Sequence, residues 1–153
     1  MSRESYFNGE SAEFIKKEID KQNQKELALW AADCAERALS YFEEKYPEDN
    51  RPRQAIEAAR AWARDEISVG EARKAAFAAH AAAREANDDA ARAVARAAGH
   101  AAGTAHMAGH APHAAAYAVK AAESENAVGE REWQFQQLPE YLRSEAFPDR
   151  DSN

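Results

Sequence analysis

The chain has 153 residues, carries a net charge of −7 and is 45% hydrophobic. Alanine supplies 39 of those residues, whereas Leu, Ile, Val and Phe together supply 19, a share usually met in disordered chains. The single Cys34 excludes an internal disulfide, and the acidic balance argues against generic nucleic-acid binding.

Alanine, with Glu, Lys, Arg and Gln, favours helix, and no Val/Ile/Thr alternation marks a strand, so the chain reads as all-α. Residues 1–10 read as a flexible tail without an apolar leader. Ser11 is placed to cap a short helix through residue 20. The next helix, 21–46, buries Leu27, Trp30, Ala31, Cys34, Ala38, Phe42 and Tyr46 at helical spacing, and Pro47 ends it. Asp49 or Asn50 caps a third helix with Pro52 in its first turn, burying Ile56, Ala59, Trp62, Ala63 and Ile67.

Ser68-Val69-Gly70-Glu71 fits a capping box and opens a helix to about residue 86. Asn87, Asp88 and Asp89 separate it from a helix over 88–110. Pro112 reads as a break. A helix resumes to about 123, and the last spans 126–138. Residues 140–153 read as a loose tail, pinned by Tyr141 and Phe147. The expectation is one domain over 11–139, a compact Ala-rich bundle of six to seven helices.

Residues 97–119 contain no Asp, Glu, Lys or Arg, a run of 23 that could span a bilayer by length. It holds four His, Pro112 and three Gly but no Leu, Ile or Phe, and so reads as a buried segment of a soluble, cytoplasmic protein. Cys34 reads as a small buried hydrophobe.

Three constellations could carry chemistry. The five His fall between positions 80 and 113. On a continuous helix His106 and His110 would share a face with Gly99 and Gly103, and the glycines would leave room beside the imidazoles. With His80 as a third ligand, they could hold a divalent ion such as Zn or Fe. The bland alternative is that they hydrogen-bond within the bundle or face solvent, and no cofactor is the default expectation. His80, Glu57 and Asp33 are candidate acid/base groups.

The second constellation is Arg53, Glu57, Arg60 and Arg64, a charged stripe along one helix face. Asp33 and Glu36 could pair with it from the preceding helix. Otherwise Arg53 and Arg60 could bind a carboxylate or phosphate, with Arg84 as a third candidate. Third, Arg73, Phe77, His80 and Arg84 repeat the stripe spacing, and neighbouring cations would keep His80 neutral.

The runs Leu27-Ala-Leu-Trp-Ala-Ala-Asp-Cys-Ala-Glu36, Arg51-Pro-Arg-Gln-Ala-Ile-Glu-Ala-Ala-Arg60-Ala-Trp62, Ala76-Phe-Ala-Ala-His80-Ala-Ala-Ala-Arg84 and Ala97-Ala-Gly-His100 through His106 resemble the Imm-five-like family of immunity proteins. The resemblance covers about residues 25–140, and its most specific part is the R-P-R-x-A-I-E-A-A-R block. It implies a small all-α bacterial protein of a polymorphic toxin system, one that binds and neutralises a toxin. It supplies no catalytic residues and leaves open whether the chain is an enzyme. The alternative reading is a small metal-binding protein or enzyme acting on an anionic small molecule. A homo-oligomer packed through Gly99 and Gly103 is a further possibility.

Overall fold

The computed structural model describes residues 10–151, so the expected tail falls almost wholly outside the described residues. The described elements are α1 (Glu10–Glu43), α2 (Arg51–Ala63), α3 (Val69–Glu85), α4 (Asp89–Gly103), α5 (His110–Ala121) and α6 (Glu123–Gln137). A 3-10 turn (Glu140–Leu142) and two single-turn helices, α7 (Arg143–Ala146) and α8 (Pro148–Asp151), follow. The described residues contain no strand, and the chain is an all-α helical bundle.

Helix α4 is the hub, packing against α1, α2, α3 and α5. Ten of its residues are buried, and of these only Val94 is larger than alanine. Small side chains let four neighbours approach one backbone closely, so dispersion contacts make up for the small area each alanine buries. Larger apolar groups, including Trp30, Leu39, Phe42, Ile56 and Leu138, fill the rest of this core. Trp62 anchors a second cluster with Ala28, Ala72 and Ala105.

Several local signals act as expected. Ser68 Oγ accepts from Glu71 N–H at 3.1 Å, and the Glu71 carboxylate closes the capping box at the start of α3. Asp88 caps α4, its carboxylate accepting from Ala91 N–H at 2.9 Å. Pro52 sits in the first turn of α2, where its missing N–H would have no partner anyway.

Several expectations are corrected. No Gly or Pro interrupts residues 10–43, so the two helices expected at 11–20 and 21–46 are one helix, α1. Its end lies at Glu43, because Pro47 pushes the residues before it out of the helix into a turn.

The helix expected over 88–110 stops at Gly103. Thr104 Oγ1 donates back to the His100 carbonyl at 3.0 Å, and Gln24 of α1 donates to the Thr104 and Ala105 carbonyls at 2.8 and 3.1 Å. These bonds stabilise a turn in place of a further helical turn. Pro112 then falls within the first turn of α5, where it starts a helix rather than breaking one.

Finally, residues 140–151 do not hang loose. Leu142 is fully buried, and Phe147 packs edge-on against Trp30 with centroids 5.8 Å apart. Tyr141, mostly exposed, donates its hydroxyl proton to Glu26. The two single-turn helices in this segment raise the count to eight among the described residues, against the six to seven expected.

Leu142→Ala should therefore cost about 2–4 kcal/mol in urea unfolding, as for a buried leucine in a close-packed site. A change within about 0.5 kcal/mol, the range of an exposed position, would restore the picture of a loose tail.

Candidate functional site: a histidine cluster on alpha3, alpha4 and alpha5

Four of the five histidines meet on one side of the hub helix. His100 of α4 is the centre. Its ring lies 5.0 Å from His80 of α3, 5.2 Å from His110 and 5.3 Å from His113 of α5, centroid to centroid. Tyr117 of α5 stacks on it at 5.5 Å with planes 9° apart. His110, His113 and Tyr117 stand at i, i+3 and i+7, one face of α5.

Hydrogen bonds constrain which nitrogens carry protons. Arg96 donates to His80 Nδ1 at 2.8 Å; a guanidinium can only donate, so His80 is neutral there and holds its proton on Nε2. His100 Nδ1 and His110 Nδ1 lie 3.0 Å apart, and one of the two must donate to the other. The first bond requires a neutral His80, and the second requires that the accepting ring, His100 or His110, be unprotonated on Nδ1. Burial, reinforced by the Arg96 charge and then by His110 and Arg84, holds His80 down at about 4. Burial, then His80, His110 and His113, does the same to His100, also to about 4. His110 is lowered as well, chiefly by burial.

The glycines make this packing possible. A Cβ on Gly99 would lie 2.6 Å from His80 Nε2, and one on Gly103 would lie 3.2 Å from His110 Cγ. Both glycines do stand beside imidazoles, but beside those of α3 and α5 rather than on a shared face with His106.

His106 falls in the turn between α4 and α5 and is exposed, outside the ring stack. His80 and His110 flank His100 instead of converging with His106. Among the described residues, no group of three or more His, Cys, Asp or Glu side chains is spaced to hold a metal.

The other sequence candidates lie elsewhere. Arg60 reaches across to α1, bonding Asp33 at 2.8 Å and Glu36 at 3.0 Å. Arg53 makes a bidentate pair with Glu43 at 2.6 and 2.7 Å. Arg51 likewise bridges Asp49 and Glu85. Glu57 is exposed on α2 and acts on Arg53 only through its charge. Arg84, exposed on α3, touches the cluster through its charge on His80, whereas Arg73 lies over the Phe77 ring. Cys34 is buried and its thiol is pushed up by desolvation, as suits a packing residue.

Sequence reasoning missed Arg96 and Tyr117, and it gave His100 and His113 no role in the site. The available signal was spacing: Arg96 and His100 are i, i+4 on α4, as His113 and Tyr117 are on α5.

In this all-α bundle two arginines of the stripe, Arg53 and Arg60, are paired with carboxylates of α1. A family model described as "Imm-5 like putative immunity protein" matches residues 17–141, and the chain belongs to that family. No curated protein and no solved structure matches the chain.

Two outcomes follow from the cluster. Gly99→Ala should destabilise the protein by about 1–3 kcal/mol despite alanine's better helix propensity, because the ring it meets is held by Arg96 and His100. His80→Ala combined with Gly99→Ala should recover most of that loss in thermal unfolding; equal losses in the single and double variants would refute the contact.

The second concerns pH. The folded-state values of His80 and His100 lie below the unfolded value, so the unfolded chain binds more protons between about pH 6.5 and 4. Their contribution is complete above pH 6.5 and is lost as pH falls through that window. Allowing for half-buried rings, circular dichroism should show about 2 kcal/mol less stability at pH 5 than at pH 7. That loss corresponds to a melting midpoint about 6 °C lower. A midpoint unchanged between the two would contradict the neutral-ring assignment.

Proposed function

We propose that this protein is a working immunity protein: it binds a toxin protein and blocks it by occlusion. The observation that carries this reading is the family match over residues 17–141. Charge supports it and narrows the partner. Arg51, Arg53 and Arg60 are neutralised internally, so on α2 and its flanking loops the exposed, unpaired acids Glu44, Glu48, Glu57 and Glu66 dominate what a partner meets. With a net charge of −7, the chain suits a basic toxin and speeds encounter electrostatically.

Co-expression with toxin genes encoded beside it, followed by growth and co-purification assays, tests the proposal. Protection and a tight complex are expected. Reversing Glu44, Glu48, Glu57 and Glu66 to Lys should slow association by about tenfold or more and flatten its salt dependence, with the fold unchanged by circular dichroism. Absence of both complex and protection with every neighbouring toxin would overturn it.

A further inference from the structure

We propose that the groove between α4 and α5 is a binding site for a phosphoryl group. The groove encloses about 510 Å³ and presents Asp89, Arg92, Arg96, Tyr117 and Lys120 over an alanine floor. This inference does not rest on the toxin-binding reading.

The charge balance of the groove differs from that of the α1–α2 seam. The arginines at the α1–α2 seam face carboxylates, as Arg53 faces Glu43 and Arg60 faces Asp33. Arg96, half-buried, faces a neutral imidazole instead. Neither Arg96 nor Lys120 has a carboxylate within ion-pair distance among the described residues. A partly desolvated guanidinium without a counter-charge is an unfavourable arrangement that a bound anion would relieve. Asp89 does not fill that role. It is almost fully exposed and engages Arg92, at 3.4 Å, while Arg92 also donates to the Ala86 carbonyl at 2.9 Å.

The donor geometry selects the anion. A planar carboxylate is satisfied by one arginine fork, as the Arg53–Glu43 pair of this chain demonstrates. In the groove the donor-bearing residues come from opposite walls: Arg96 from α4, and Lys120 and Tyr117 from α5. Arg96 has one nitrogen engaged with His80 and keeps its other N–H groups for the groove. Donors from two sides suit a tetrahedral phosphoryl group with oxygens in several directions. The ring of Tyr117 is fixed by its stack on His100, so that wall is built before any ligand arrives.

The experiment is a titration of the full isotope-labelled chain with inorganic phosphate, above about pH 7 where it is mostly dianionic, with chloride holding ionic strength constant. Saturable amide shifts are expected around Arg96, Tyr117 and Lys120. Lys120→Gln and Arg96→Gln should each weaken binding by about tenfold or more, the loss of one charge-assisted contact. Lys74→Gln, an exposed cation on α3 outside the groove, should leave it unchanged. Because Arg96→Gln also removes the bond to His80, the exposed Lys120 decides if that variant fails to fold. Shifts that never saturate, an equal loss in Lys74→Gln, or succinate binding as tightly as phosphate would each overturn the assignment. Toxin protection is measured separately, so failure here leaves that reading standing, and the reverse holds too.

Discussion

Everything in this fold depends on how little side chain α4 carries. Four helices can pack against it because its buried positions are alanine, glycine and one valine. The same smallness sets the position of the histidines. Where α4 has glycine, at 99 and 103, imidazoles from α3 and α5 come down onto its backbone. Core and cluster are therefore one packing solution.

The polar parts divide into two regimes. Along the α1–α2 seam, opposite charges meet at the half-exposed surface, and solvent keeps each pair a modest contributor. Around His100 the rule reverses. There, burial and neighbouring cations favour uncharged rings, and hydrogen bonds between imidazoles take the place of ion pairs. Arg96 joins the regimes, spending one nitrogen on His80 while its charge remains directed to the groove beyond.

The fold class was legible because helix propensity, the capping box at Ser68 and the carboxylate cap at Asp88 all act locally. Pro112 misled because proline both terminates helices and opens them; only the turn at Thr104, fastened by Gln24 from a distant part of α1, decides between the two roles. The arginine partners at Asp33 and Glu36 were readable, since antiparallel neighbours joined by a short loop bring such positions together. The histidine cluster was only half readable. Its residue types stood out, but the His100–His110 contact spans two helices and the turn between them, and no periodicity rule reaches across a turn.

The alanine core has one more consequence. A methyl group on a backbone carbon has no rotamers to lose, so burying alanine costs no side-chain conformational entropy, whereas each buried Leu or Ile gives up about 0.5–1 kcal/mol. The centre of this molecule thus forms without a search among side-chain arrangements. Ordering falls instead to the larger groups packed around this alanine centre, where Trp30, Phe42, Leu142 and Phe147 must each find a single fit. A protein built this way has an inner framework with few alternative packings, and its capacity to adapt lies in the aromatic and charged groups arranged around that framework.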